Sequence, residues 1–408
     1  LEFSRAVKEI HSAPVVWGGI HPSLLPTQTL SHELVDMVVA GDGEESLLQL
    51  VKALRDGGSL DAIPGLHRSH EGKVLANDRQ PLDLDSQPAP AYDLVDMKNY
   101  TDQQFFFLGN RSRSIELNTD RGCPSRCAFC YNLNYNQRRW RALSAGTVLD
   151  RLEEIVGRYD VGGVNFVSDN FFVNRNRVGE ICQGILDRSI DINWHSDIRI
   201  DSFLRMDDEL VQLMRRSGCH CLTFGVESGS QRMLSLINED VTVDQVKQAD
   251  RRAREHDFLI NYHFMIGLPD ETRQDVVETL DLIAYLAQDP DVLIYGPSIY
   301  TPFPGTPLFD RAVELGFEEP KTLEDWIHHD RSQSSVGPWI SKKDAVFFEE
   351  AKYLARSAYG TRRPTSTAKR MLTSYARLRF GGFQRGLHVG TTDIKLARFA
   401  KSFLRPTA

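Results

Sequence analysis

Gly122-Cys123-Pro124-Ser125-Arg126-Cys127-Ala128-Phe129-Cys130-Tyr131 places three thiols within eight residues, on a stretch whose glycine and proline read as a loop. Thiolates this close together suit a soft metal centre, an iron-sulfur cluster or zinc. A structural zinc takes four protein ligands, usually from two paired half-sites. No second C-x-x-C or H-x-x-x-H follows downstream to complete a tetrahedron. The set is one ligand short, and an open coordination position implies a small molecule.

Outward from the loop, strands and helices alternate. Ser114 to Leu117 reads as a strand leading into it, and Val148 to Tyr159 as a helix with residues 148, 149, 152, 155 and 156 on one apolar face. Further strands are expected at Gly163 to Val167, Ile192 to His195, Cys221 to Val226, Ile260 to Ile266 and Val292 to Tyr300. Helices are expected near Val178 to Leu186, at Asp207 to Arg216, from Ser230, at Asp244 to Glu255 and at Arg273 to Ala287. Six such units with parallel crossovers make an α/β fold, a partial barrel or a doubly wound sheet, and periodicity alone does not choose between them.

The spacing Cys123-x-x-x-Cys127-x-Phe129-Cys130, with the aromatic residue before the last cysteine, resembles the signature of the radical S-adenosylmethionine (SAM) superfamily. The resemblance implies that Cys123, Cys127 and Cys130 hold three irons of a 4Fe-4S cluster whose fourth iron is chelated by SAM. Reductive cleavage of SAM then gives a 5'-deoxyadenosyl radical. It also implies a partial (β/α)6 TIM-like barrel over residues 111–310, and an electron donor such as flavodoxin or ferredoxin. Active-site groups in a parallel barrel come from the C-terminal ends of its strands. The ends here carry Ser168-Asp169-Asn170, Ser196-Asp197-Ile198-Arg199, Gly225-Val226-Glu227-Ser228-Gly229, Ile266-Gly267-Leu268-Pro269, and Pro302 to Pro307.

Asp169 and Arg199 are the expected partners of SAM's ammonium and carboxylate, the guanidinium through a two-pronged contact. Glu227 and Ser228 are expected at the ribose. Ile266 and Gly267 are expected at the adenine, where a glycine lets the main chain approach. Phe129 completes the cofactor-binding set. Ser168, Asp197 and Ser230 suit helix N-caps equally well.

Ahead of the barrel, Val15-Val16-Trp17 breaks into Gly18-Gly19-Ile20-His21-Pro22, and Val35 to Ala40 leads to Gly41-Asp42-Gly43-Glu44 and a helix from Ser46 to Arg55. Strand, glycine turn, strand and helix make the back half of an open α/β sheet. Residues 1–62 resemble the C-terminal half of the Rossmann-like cobalamin-binding domain found in one branch of the superfamily. His21 is not read as the cobalt ligand, which in that branch belongs to a D-x-H-x-x-G segment absent from this chain. The chain begins at Leu1 inside a helical pattern, Phe3, Ala6, Val7 and Ile10. An upstream portion is therefore expected, and cobalamin is expected of the full-length parent. Residues 63–110 read as a Pro- and Asp-rich connector with a hairpin at Glu71-Gly72, ending in Phe105-Phe106-Phe107 at a domain junction.

The chain has 408 residues, 41% hydrophobic and 25% charged, room for two or three domains. No apolar run approaches the ~18 residues of a membrane span. The formal net charge of -8 argues against a nucleic-acid partner across the whole surface. Without a signal peptide the expected location is cytoplasmic. Cys182, Cys219 and Cys221 are expected to fill core space, and His328 and His329 to be solvated. The region 311–408 is expected to be helical, with a helix from Asp344 to Ala358. From Thr361 onward eleven Lys or Arg stand against one acid, Asp393. Helical stretches around Ala368 to Phe380 and Thr392 to Leu404 either dock on the acidic body or touch an anionic membrane surface. The implied activity is cobalamin-dependent methylation of carbon or phosphorus in a small-molecule or lipid substrate. The alternatives are a radical cyclase or rearrangement enzyme, and a non-catalytic iron-sulfur or zinc protein.

Overall fold

The computed structural model describes residues 1–102, 105–109, 113–289, 291–329, 337–360 and 367–384. The chain divides into two compact units that are discontinuous in sequence. One gathers residues 1–87, 122–139 and 301–334; the other holds 88–121, 140–300 and 335–408.

The first unit is built on a four-stranded sheet. Strands β1 (Val16–Gly18) and β2 (Met37–Val39) are parallel, while β3 (Leu66–His70) and β4 (Lys73–Ala76) add an antiparallel hairpin. Glu71 and Gly72 both have positive φ, the conformation a tight hairpin of this hand requires. Residues 63–76 thus belong to this sheet and are not a free connector. Its core packs Val39, Leu50, Ile63 and Leu66 together, the helix Glu44–Asp56 supplying Leu50.

The second unit holds six parallel strands whose order in space follows the chain: β5 (Ser114–Leu117), β8 (Gly163–Phe166), β9 (Asn193–Arg199), β10 (Cys219–Glu227), β11 (Leu259–Ile266) and β12 (Val292–Ile299). Neighbouring strands linked each time by a helix are the progression of a barrel; a doubly wound sheet would reverse its order midway. Six strands leave it open, the partial barrel expected. The helices start where side chains satisfy their free amides: Ser144, Asn174 and Asp207 cap theirs, and Thr242 and Thr272 form capping boxes. Outward-facing Phe166 and Trp194 lie beneath this layer with Phe171. Tyr262 reaches the helix Val243–Glu255, its hydroxyl donating to Asp250 at 2.8 Å.

Strands β6 (Asp120–Arg121) and β7 (Arg141–Ala142) pair antiparallel where the cysteine loop leaves and returns. Arg177, on the helix Arg175–Asp187, holds both legs. Its Nε donates to the Leu143 carbonyl at 2.6 Å and an Nη to the Thr119 carbonyl at 3.1 Å, with the guanidinium over the Trp140 and Phe171 rings.

The Phe105–Phe107 turn corrects an expectation. Phe107 lies on the His195 ring at 4.3 Å, and the Leu108 carbonyl accepts from Asn193. These residues close the N-terminal end of the barrel and do not mark a domain junction. At the other end of the chain, the helix Thr367–Gln384 packs on the helix Lys342–Tyr359 through Phe380 and Phe383 and through a buried Arg379–Glu350 pair at 2.8 Å. That is the docking alternative for this helix, although Met371, Tyr375 and Leu378 stay exposed. The stretch Thr392 to Leu404 lies outside the described residues. No described helix is long and apolar enough to cross a membrane.

Replacing Arg177 with Met should leave the buried Leu143 carbonyl without its donor, at about 1–3 kcal/mol, and remove one of the two donors to the Thr119 carbonyl, which keeps the Leu143 amide. The expected outcome is a clear drop in the thermal midpoint by differential scanning fluorimetry; an unchanged midpoint would show that Arg177 does not tie the legs together.

Candidate functional site

The cysteine loop is shaped by contacts inside its own unit. Gly122 has φ +88, and a Cβ there would overlap the Arg139 carbonyl, so the neck admits only glycine. Arg138 donates twice to the Pro124 carbonyl, at 3.1 and 2.9 Å, drawing the two sides together. The Cys130 amide donates to the Cys127 carbonyl in a tight turn. From residues 301–334 the Leu308 amide donates to the Ala128 carbonyl, and Asn134 donates to the Gly305 carbonyl. Cys123 and Cys127 are buried, while Cys130 and Phe129 are half-buried. All three thiols are free of disulfides.

Three thiols and no fourth protein ligand fit a cluster with one open iron by the chemistry of the donor set. Among the described residues no group of three or more His, Cys, Asp or Glu stands ready as a metal cage. Drawing the thiols together is then coupled to binding the metal. The other cysteines are structural. Cys182, Cys219 and Cys221 are fully buried, and burial pushes the Cys182 thiol up to about 12 and that of Cys219 well above its ordinary value, which leaves both unreactive.

Elsewhere in the first unit, His21 stands edge-on to Trp326 at 5.3 Å, with its Nε2 buried and without a partner among the described residues. Burial lowers its pKa, holding the ring neutral. His329 packs against Phe317 and Trp326, so it is not the solvated residue expected.

The strand ends of the second unit were expected to carry the cofactor contacts. After β8, fully buried Asp120 accepts from the Asn170 amide at 3.3 Å, and Thr119 meets the Ser168 hydroxyl at 3.4 Å. These bonds fix the turn that carries half-buried Asp169. Burial pushes the Asp120 carboxyl up, with Asp169 adding to the effect. Arg199 ends β9, and its guanidinium already holds carboxylates: Asp201 at 3.0 Å and buried Glu239 at 2.6 Å. Asp197 lies inside β9 and caps no helix. Ser230 likewise gives no cap; its hydroxyl donates to Asp275 at 2.6 Å.

Glu227 sits on a bulge at the end of β10 with φ +66. Its carboxylate folds back over Gly225, into space that a Cβ there would take. A bulge with a strained residue re-aims a side chain, and here it turns the carboxylate over its own strand. Ser228 is a correction. It is fully buried, its hydroxyl accepts from the Ser230 amide at 3.1 Å and meets Thr279 at 3.2 Å, so it braces the turn and offers nothing to a ribose.

At the end of β11 the polar groups of the Gly267 turn are already committed. The Gly267 and Leu268 amides both donate to Glu271, the Gly267 carbonyl accepts from the Trp339 indole at 3.2 Å, and the Ile266 carbonyl accepts from the Tyr300 amide. Ile266 is fully buried and Gly267 is buried, so as the turn stands neither offers a ligand an open polar group or exposed surface, against the expectation that they meet adenine. Neither Glu271 nor Trp339 stood out in the sequence; the x-x-x-Glu spacing after Gly267 was the available signal for the first. The Glu271 carboxyl is sealed from solvent, with Oε1 unpartnered among the described residues, and burial pushes it up to about 8 against the two amide bonds.

Residues 117–283 match the sequence model of the Radical SAM superfamily. An uncharacterized methyltransferase of Pyrococcus horikoshii is 33% identical over 348 residues, which is 85% of this chain and 71% of that one. The anaerobic magnesium-protoporphyrin IX monomethyl ester cyclase of Rubrivivax gelatinosus is 29% identical over 322 residues, 76% of this chain and 55% of its own. Among solved structures, the cobalamin-dependent S-adenosylmethionine radical enzyme OxsB, with aqua-cobalamin and S-adenosylmethionine bound, aligns with a TM-score of 0.70 at 19% identity, over 94% of this chain and 60% of that one. The two share a fold. The chain spans little more than half the length of the cyclase and of OxsB.

Gly122→Ala should leave the barrel folded, with circular dichroism and melting close to wild type, yet bind iron poorly on anaerobic reconstitution; normal iron content would show that the neck tolerates a side chain. Glu271→Gln keeps an acceptor for both amides but cannot ionise. A carboxyl whose folded pKa is raised loses stability as pH climbs from its unfolded value through the folded one. The variant should therefore melt higher than wild type at pH 8 and match it at pH 5, and parallel melting curves at both pH values would contradict the burial of that carboxyl.

Proposed function

The chain belongs to the radical SAM superfamily, and from that premise we propose that it is the catalytic portion of an enzyme that methylates an unactivated centre of a small molecule. The observation that carries this is the cysteine loop, three thiols outside any disulfide at the Cys-x-x-x-Cys-x-x-Cys spacing, a donor set that suits a cluster with one iron open to SAM. A 4Fe-4S cluster held there by Cys123, Cys127 and Cys130 supplies, when bound, the electron that cleaves SAM and releases a 5'-deoxyadenosyl radical.

The protein's own residues bind and orient. Phe129 lies beside Cys130 and offers an apolar flank. Asp169, on the turn pinned by Asp120, is the proposed partner of an ammonium group. Arg199 stays a carboxylate partner at reduced strength, because Asp201 and Glu239 share its charge. Glu227, folded over Gly225, is the acceptor for ribose hydroxyls, without Ser228. Ile266 and Gly267, both buried, set the shape of the turn at the end of β11, stiffened by Glu271 and Trp339.

Similarity to a methyltransferase over 85% of the chain supports methyl transfer. The likeness to a cyclase supports a second reading, radical ring formation without methyl transfer. The fold shared with a cobalamin-bound enzyme supports cobalamin as the methyl carrier of the whole protein. A low-potential donor of the flavodoxin or ferredoxin class is the natural electron source.

Anaerobic reconstitution should load about four irons per chain, and with dithionite and SAM the protein should form 5'-deoxyadenosine, measured by mass spectrometry. Replacing Cys123, Cys127 and Cys130 together by Ala should abolish the product, and zinc without iron in the wild type would refute the proposal. S-adenosylhomocysteine formed beside 5'-deoxyadenosine marks methyl transfer; its absence under turnover marks the cyclase reading.

A further inference from the structure

The inner face of the barrel carries a file of polar side chains that the cofactor contacts do not use. The outer face is identified by Tyr262, which reaches the covering helix, so the alternate positions face inward. Along the floor the Glu116 carboxylate meets Asn165 at 3.4 Å, Asn165 meets His195 at 2.8 Å, His195 meets Thr223 at 2.6 Å, and Asn261 donates to Thr223 at 3.0 Å. Phe107 lies against His195 at the closed end. This chain is satisfied within itself and needs no ligand.

Asp197 stands above it and is not satisfied. On β9 it lies two residues before Arg199, in register with Thr223. Its carboxylate accepts no hydrogen bond among the described residues, and the nearest basic group is the His195 Nε2 at 3.8 Å. That nitrogen already has Thr223. Across the six strands as described, Arg199 is the sole Lys or Arg, and it is shared by Asp201 and Glu239. No cation of the barrel wall therefore answers Asp197.

The Asp197 side chain keeps 69% of its surface open, yet burial alone pushes its carboxyl up to about 6. Both hold for a side chain on the inner face of the open sheet, with protein around it and its carboxylate still reachable by small molecules. On the same inner face, two and three strands away, His263 and Tyr295 stack at 5.0 Å.

We propose that Asp197 is the anchor for a protonated amino group on the substrate, so that the substrate class is a small polar molecule bearing an ammonium group and not a hydrocarbon lipid. A carboxylate without a counter-charge gains most from a cation that brings its own donors. A hydrocarbon packed over it would take away its water and give it no partner, a cost that an ammonium group avoids. The proposal rests on reading the chain as a radical SAM enzyme, and the test keeps the two apart.

The anaerobically reconstituted chain and its Asp197→Asn variant are titrated with n-butylammonium chloride and followed by saturation-transfer NMR, with n-butyrate and n-butanol as controls. Asparagine matches aspartate in shape, and a side chain that makes no hydrogen bond here is not needed for folding, which the melting curve checks. The wild type should bind the ammonium probe in preference to both controls, and Asp197→Asn should weaken it by roughly fivefold or more. SAM-dependent 5'-deoxyadenosine formation, measured on the same samples, should keep its KM for SAM within about twofold, since a polar contact confined to the substrate does not enter SAM binding. Equal probe binding by both proteins, or none by either, would overturn the proposal. So would a raised KM for SAM, which would make Asp197 a contact of that cofactor instead. Absence of 5'-deoxyadenosine from both proteins would sink the radical-enzyme reading and leave the probe result to be judged alone.

Discussion

The narrow neck of the cysteine loop is the constraint on which the rest depends. Three thiols can hold a cluster with a free iron only if the backbone between them is curled and kept from relaxing. Here the legs are clamped by the β6–β7 ladder and by the single guanidinium of Arg177, and the neck is narrowed by a glycine whose hydrogen faces the Arg139 carbonyl. The Leu143 carbonyl there has no strand to pair with, and a buried polar group left alone is expensive. An arginine with five donors in a rigid fork answers it and reaches the Thr119 carbonyl as well.

The barrel meets a different demand. Its strands alternate between a dry outer face, filled by residues such as Phe166, Trp194, Phe224 and Tyr262, and an inner face that is polar. Self-satisfied groups at the bottom make a floor, and groups with open valences stand nearer the strand ends. Ser228, Asp120 and Glu271 show how much of the rim serves to hold the backbone still. Ser228 was expected to touch a ligand, and all three spend their hydrogen bonds on neighbouring turns. Preorganising a site costs many such residues, because the groups that touch a ligand must be held by others that do not.

The family resemblance and the physical reading converge from independent directions. The cysteine spacing names a chemistry, while the order of the six strands shows a scaffold able to present it. The relatives include a methyltransferase and a cyclase, in keeping with the rule that one fold hosts different reactions through differences in its site.

Strand positions were legible in the sequence to within a few residues, because apolar runs bounded by glycine and capping residues carry a strong local signal. The cysteine motif was legible from its spacing, while the contacts of Arg138, Arg139 and Arg177 that shape its loop were not. Sequence also identified Glu227 as an exceptional residue, though not its left-handed backbone. Only the tertiary structure decided that residues 63–76 complete the first sheet, that Phe107 seals the barrel, that Ser228 is buried, that Arg199 is already paired and that Asp197 is left without a partner. Those outcomes are set by residues far apart in the chain, Glu239 for Arg199 and Thr279 for Ser228 among them. Local pattern tells a side chain which face it will occupy; which charge or hydroxyl it finds there is settled when the strands are laid side by side.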